Sequence, residues 1–283
     1  MHKILETRIL AADIHLFKIQ APQIARKAQA GQFVILRVHD QGERIPLTLA
    51  DWNTSEGSIS IVFMAIGATT CQLARLGPGD SIADLVGPLG HPTEIQKFGT
   101  VACVAGGFAI AVIRPVIQAL KQAGNRIITL VGVRSGDLMF WEEELRRDSD
   151  ELVITTDDGS YGRKGLVTQP LKELLEKGGT INRVIAIGPT VMMKYTALTT
   201  LPYGVKTIVS LNPIMVDGTG MCGCCRVTVG QETKFACLEG PEFDGHLVDW
   251  EEFISRQSTY LDQERHVYQC TIGQAKEKSN QVG

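Results

Sequence analysis

Near its C-terminal end the sequence reads "MVDGTGMCGCCRVTVG" over residues 215–230, with a further cysteine at 237. The order is Asp217-x4-Cys222-x2-Cys225-x11-Cys237. Thiolates are the soft ligands that iron–sulfur clusters and zinc select, and C-x4-C-x2-C with a distant fourth ligand is a [2Fe–2S] spacing. Asp217 stands in the first ligand's place. Gly218, Gly220 and Gly223 permit tight turns, so that backbone N–H groups point at the sulfurs of a compact anionic cluster. Carboxylate is a harder ligand than thiolate and is expected to tune a reduction potential while still binding. Cys224 is out of register and reads as a non-ligand. The same residues would serve a zinc site of one aspartate and three cysteines, and an aspartate before a glycine is also a common turn residue.

Further signals suit nucleotides. "ERIPLTLAD" puts Arg44 before Pro46, Leu47 and Thr48 at the end of a strand. An arginine fork there suits a pyrophosphate, and the 46–48 backbone suits a flat ring. In "MAIGATTCQL", Gly67 and the hydroxyls of Thr69 and Thr70 open a helix suited to phosphate. "VAGGFAIAVI" gives a strand, Gly106-Gly107 and a helix, a dinucleotide cradle in which Ala109 replaces the third glycine. Arg134 in "VGVRSGDLMF" and Gly188-Pro189 in "IGPTVMMK" end two more strands, where open α/β sheets bind ligands. Asp157 and Asp158 suit ribose hydroxyls or, equally, a turn cap. Met192 and Met193 read as packing. The histidines are scattered and no acid–base constellation stands out, so no catalytic side chain is assigned.

The elements that carry these residues change character along the chain. Residues 1–98 are rich in Val, Ile and Phe between Gly, Pro, Asp and Asn turns, the texture of a small antiparallel barrel. From 99 to 212 strands and helices alternate, which predicts a doubly wound parallel sheet with "KTIVSL" closing it. Helices are expected over 111–123 and 137–147, among others. The segment 213–270 forms a third, cysteine-rich unit, and 271–283 reads as a frayed polar tail.

With 283 residues there is room for several real cores, and a net charge of −3 argues against nucleic acid or anionic membrane as partner. "MHKILETRIL" lacks a signal-peptide core and "VACVAGGFAIAVI" is short for a membrane span. Seven cysteines, four of them within 222–237, then favour metal binding over disulfides, and a cytoplasmic protein is expected.

Taken in order, "RIPLT", "GATT", "GPLG", "AGGFAIA", "GVRSGDLMFWEEEL", "DDGSYGRKG", "GPTVMMK" and the cysteine loop resemble the ferredoxin–NADP reductase superfamily, in its branch with a C-terminal [2Fe–2S] domain. That branch holds the electron-transfer subunits of dihydroorotate dehydrogenase B and the small subunits of electron-bifurcating NADH-dependent reduced ferredoxin:NADP⁺ oxidoreductases. The resemblance implies FAD on the barrel, with Arg44 near its pyrophosphate, Pro46–Thr48 near the isoalloxazine and Gly67–Thr70 near phosphate. It implies NAD(P)H, with NADH favoured, on the second unit, although Arg134 would also suit a 2′-phosphate. Asp217 is similar to the aspartate ligand of the bifurcating transhydrogenases, whereas the dihydroorotate branch uses four cysteines. The implied partner is a larger, glutamate-synthase-like subunit with FAD and [4Fe–4S] clusters. Nicotinamide trades electron pairs, a cluster trades single electrons and a flavin does both. A dihydroorotate dehydrogenase B-type electron-transfer subunit is the alternative within the branch, and a zinc-containing nucleotide-binding regulator the alternative outside it.

Overall fold

The structure is a computed structural model and describes residues 1–178 and 180–269. The tail expected over 271–283, and Cys270, lie outside the described residues. The chain opens with β1 (His2–Ala11) and β2 (Ile14–Gln20), a hairpin turning at Asp13 in the left-handed region (φ 58). After α1 (Pro22–Ala25) come β3 (Phe33–Arg37), β4 (Arg44–Asn53) and β5 (Ser58–Met64). Then follow α2 (Ala68–Leu73), β6 (Ser81–Ile82) and β7 (Asp84–Leu89). The strands run β6-β1-β2-β5-β4-β3-β7 as a near-closed antiparallel barrel. Alternate residues turn inward: Phe17, Ile19, Val34, Leu36, Ile59, Ile61 and Phe63 fill its core.

The second layer begins with β8 (Thr100–Gly106), α3 (Ala109–Gln122) and β9 (Arg126–Val133). It continues through α4 (Glu142–Asp148), β10 (Glu151–Thr156), β11 (Arg163–Lys164) and α5 (Thr168–Glu176). β12 (Arg183–Ile187), α6 (Thr190–Thr200) and β13 (Thr207–Ser210) complete the run. The strands read as almost unbroken apolar runs because both faces are covered. Val101, Cys103 and Ala105 of β8 face α3, while Ala102 and Val104 join the opposite core with Leu171 and Met193. Two expectations are corrected here. The helix expected over 137–147 is broken and starts only at Glu142. Phe140 is buried and Trp141 lies under the Arg114 guanidinium, 5.5 Å away, so Trp141 turns left-handed (φ 55) and breaks the run. Nor does 206–211 close the sheet.

The closing strand comes from the third unit. There β14 (Arg226–Val229) and β15 (Glu232–Phe235) form a hairpin, followed by β16 (Glu242–Asp244) and α7 (Trp250–Gln257). β16 pairs antiparallel with β13, Val209 opposite Phe243, giving the order β11-β10-β9-β8-β12-β13-β16. Three residues are too few to display a period of two, which is why this strand is invisible in the sequence pattern. Among the described residues no helix is long and apolar enough to cross a membrane.

β16 also brings a carboxylate to the junction of all three units. Thr93 Oγ1, in the segment joining β7 to β8, donates to Glu242 Oε1 at 2.6 Å. Gly31 leaves room for that bond, since a Cβ there would lie 2.3 Å from Thr93 Oγ1. Burial pushes the Glu242 carboxyl up to about 7, against smaller lowering by Thr93 and Arg183, while Glu94 adds to the rise. Between pH 4.5 and 7 the folded chain therefore holds a proton that the unfolded chain releases, so this group's contribution to stability falls as pH rises through that window. Glu242→Gln keeps the acceptor oxygen and removes the charge. It should raise Tm by several degrees at pH 8 and leave it unchanged near pH 4, lifting a penalty on the order of 2 kcal/mol, discounted for residual solvent contact. Thermal melts of wild type and variant across pH 4–8 check this; parallel curves would refute it.

Candidate functional site

A cleft of about 730 Å³ lies where the barrel meets the carboxyl ends of β8, β9 and β12. Gly106 and Gly188 form its floor by backing onto each other: a Cβ on Gly188 would lie 2.9 Å from the Gly106 nitrogen. A Cβ on Gly106 would lie 2.6 Å from both Pro189 Cδ and Met192 Sδ. Only glycine lets these strand ends approach so closely while keeping the space above them open. Gly107 (φ 58) then turns the chain into α3. The barrel supplies the facing wall through Phe33, Pro46, Thr48 and Met64.

The sequence candidates divide between this cleft and other places. Pro46, Thr48, Gly106, Gly107, Arg134, Asp157, Gly188 and Pro189 line it. Arg134 has no ion-pair partner among the described residues. Asp158 does not line the cleft; it caps its own turn, accepting from Ser160 N at 2.9 Å and Ser160 Oγ at 2.7 Å, bonds that hold its carboxyl below the usual range. Arg44 opens β4, where the sequence suggested a strand end, and pairs with Asp84 at 3.2 Å. Thr69 Oγ1 donates to Glu43 at 3.0 Å, and Thr70 Oγ1 accepts from the Gly67 N–H at 3.0 Å. Leu47 packs against the barrel core. Met193 is fully buried as expected, whereas Met192 reaches the cleft.

Sequence reasoning missed part of the wall. Phe33 faces Thr48 across the β3–β4 ladder, a juxtaposition visible only once the register is known. Tyr195 lies one helical turn after Val191 on α6, an apolar pair whose exposure hinted at a surface. Ser210 at the end of β13, with Asn212 and Met215 after it, carries the lining directly into the cysteine loop.

That loop is built by the β14–β15 hairpin. Gly230 (φ 58) and Gln231 (φ 70) make its two-residue turn, and Arg226 pairs with Phe235. Cys225, just before the hairpin, is thereby returned to Cys237, just after it, and their sulfurs lie 3.2 Å apart. An eleven-residue interval is what this hairpin needs to bring its two ends together. Both thiols are buried, and burial together with the neighbouring Cys225 pushes the Cys237 thiol up to about 12. The Gly220 N–H is directed at the Cys237 sulfur and lowers it slightly. Cys222 is exposed beside Cys224. Asp217 Oδ2 accepts from the Cys222 N–H at 2.8 Å, and Oδ1 from the Thr219 N–H and hydroxyl. These bonds, the Thr219 N–H foremost, hold its carboxyl at about 2, so it is an anion throughout the neutral range.

No group of three or more His, Cys, Asp or Glu among the described residues is drawn into a closed metal cage. The donor set nevertheless fits a cluster: two apposed buried thiols, a third thiol, a carboxylate, and the Gly220 N–H directed at a sulfur. Gly218 (φ 76) seats the loop on the barrel, because a Cβ there would lie 2.5 Å from Ile35 Cγ1 and 3.1 Å from Leu89 Cδ1. Ile35 pairs in turn with Pro46. The loop and the cleft thus lie on neighbouring strands of one wall.

Comparison with known proteins bears on the same segments. Residues 212–249 match the family described as the iron–sulfur cluster binding domain of dihydroorotate dehydrogenase B. The chain is 45% identical over 277 residues to a dihydroorotate dehydrogenase B (NAD(+)) electron transfer subunit homolog from Thermotoga maritima, covering 98% of each. It is 30% identical over 257 residues to the dihydroorotate dehydrogenase B (NAD(+)) electron transfer subunit of Desulforamulus reducens, covering 88% of this chain and 97% of that one. A solved chain from the structure of NADH-dependent reduced ferredoxin-NADP oxidoreductase, which concerns flavin-based electron bifurcation, superposes with a TM-score of 0.91. It is 45% identical, over 96% of this chain and 98% of that one.

The seating of the loop can be tested without any ligand. Gly218→Ala and Gly223→Ala both place a side chain in the left-handed region, at about 1 kcal/mol each. A Cβ at Gly223 meets only Phe235, at 3.6 Å, whereas one at Gly218 collides with buried Ile35. Gly218→Ala should cost about 2 kcal/mol more and melt several degrees lower. Equal melting temperatures would show that the loop does not rest on the barrel.

Proposed function

The chain belongs to the family of electron-transfer subunits related to that of dihydroorotate dehydrogenase B, within the ferredoxin–NADP reductase superfamily, and from that premise we propose its specific role. It is a subunit of a heteromeric oxidoreductase that binds FAD and one [2Fe–2S] cluster. It moves electrons between NAD(P)H, NADH being favoured, and a larger flavin and iron–sulfur subunit of the electron-bifurcating transhydrogenase type. The observation that carries this reading is the shared wall: Met215 lines the cleft, and two residues later the loop with Asp217, Cys222, Cys225 and Cys237 begins on the same barrel face.

Each part of the chain has a task in this reading. Gly106, Gly107 and Gly188 keep backbone room at the strand ends for a nicotinamide nucleotide, with Gly107 opening a helix to its phosphates. Arg134 and Asp157 flank the same space, a cation for phosphate and a carboxylate for ribose hydroxyls. Pro46, Leu47 and Thr48 present β4 to a flat ring, and Phe33 with Met64 excludes water beside it. Arg44, Gly67, Thr69 and Thr70 serve the flavin's phosphates at the barrel's outer edge; Arg44 and Thr69 exchange their present carboxylate partners for them. When bound, the flavin supplies what neither neighbour has, acceptance of a hydride's electron pair and release of single electrons. Positioning is the whole task of the protein in this reading.

A second reading, the dihydroorotate dehydrogenase B type, is favoured by the family match at 212–249. Aspartate in place of the first thiolate speaks for the transhydrogenase type instead.

Anaerobic isolation of the native complex decides among these. The expected result is flavin absorbance, iron and acid-labile sulfide on this subunit, with a glutamate-synthase-like partner. A dihydroorotate-oxidising partner would establish the second reading, and a colourless subunit with stoichiometric zinc would overturn both. Asp217→Cys should retain the cluster and lower its reduction potential, since thiolate donates more electron density than carboxylate. An unchanged redox titration would remove Asp217 from the ligand set.

A further inference from the structure

Two arginines reach the cysteine loop from different elements. Arg226, the first residue of β14, donates from Nη1 to the Gly223 carbonyl at 3.2 Å. Arg256, in the last turn of α7, donates from Nη2 to the Cys224 carbonyl at 3.2 Å. These are consecutive carbonyls, both inside the Cys222-x2-Cys225 interval. Neither guanidinium has an ion-pair partner among the described residues. Both arginines border a notch of about 180 Å³ shared with Gln257, Thr259 and Tyr260, whose lining brings no carboxylate. The carboxylate on the loop itself, Asp217, is engaged by the Thr219 and Cys222 N–H groups.

Two effects follow from this geometry. In a trans peptide the carbonyl and the following N–H point in opposite directions. Holding the 223 and 224 carbonyls outward therefore turns the N–H groups of Cys224 and Cys225 away from the arginines. Secondly, two guanidinium charges with no ion-pair partner among the described residues stand beside the segment between two thiols. Reduction of a thiolate-held centre adds negative charge, and nearby positive charge favours that state.

We propose that Arg226 and Arg256 are positioning residues for the redox centre: together they clamp the 223–224 backbone and raise the centre's reduction potential. This rests on the iron–sulfur reading above. The clamp also joins α7 to the loop, so the helix at the end of the cluster unit takes part in setting its electronics.

The test uses the intact complex and a redox titration followed by the cluster's electron paramagnetic resonance signal, with iron and flavin content measured on each sample. Arg226→Gln and Arg256→Gln should each make the cluster harder to reduce, by up to about tenfold in the equilibrium constant, which is about 59 mV for one electron. Arg256→Lys keeps the charge but loses the planar fork and should fall between Arg256→Gln and wild type. If a Gln variant retains no iron while Arg256→Lys does and titrates near wild type, the clamp is supported. If Arg256→Lys matches a loaded Arg256→Gln, or all three variants match wild type, it is overturned. A wild-type complex without iron and sulfide on this subunit refutes the underlying reading instead, so the two failures are distinguishable.

Discussion

The contact of Gly218 with Ile35 and Leu89 is the constraint on which the arrangement of the molecule depends. A side chain at 218 would lift the loop from β3, and lifting it would separate the paired thiols from the strand next to Pro46. The barrel, the parallel sheet and the hairpin are each stable motifs in other settings. Here one close backbone approach gives the last of them a fixed distance from the cleft. The buried cluster that contains Cys225 and Cys237 also holds Phe33 and Ile35 of the barrel and Val209 of the sheet, so the apolar core is continuous across all three units. Electron transfer is a function of separation, and a common core fixes separation better than a linker does.

A polar lock complements that apolar one. The segment joining barrel to sheet is held at several points: His91 N to Gly240 O, Thr93 to Glu242, Glu94 to Arg183, and the N–H groups of Phe98 and Gly99 to Asn125 Oδ1. Arg183 lies 3.7 Å over the Phe98 ring as well. Orientation is over-determined, which suits a scaffold whose work is to hold carriers still.

Much of this was legible in the sequence because it is local. The βα alternation after residue 99, the strand-rich first third and the cysteine spacing each reflect a period or an interval. The hairpin explains why Cys225 and Cys237 stand where they do, and Gly106, Gly107 and Gly188 lie at strand ends as their pattern suggested. What could not be read needed the third dimension. β16 is too short to carry a pattern, Trp141 breaks a helix through contacts with distant α3, and only the folded turn separates Asp157 in the cleft from Asp158 capping Ser160. The partners of Arg44 and Thr69 likewise come from cross-strand geometry, not from their neighbours in sequence.

The late arrival of β16 has a consequence for how the molecule is made. Its partner β13 ends at Ser210, yet the pairing residues Glu242–Asp244 emerge from the ribosome only after the whole cysteine loop and hairpin. Until then β13 presents an unpaired, apolar sheet edge, the kind of surface that recruits other nascent chains. Pairing by β16 covers that edge, so the sheet gains its last strand only after the cysteine loop and hairpin have been made.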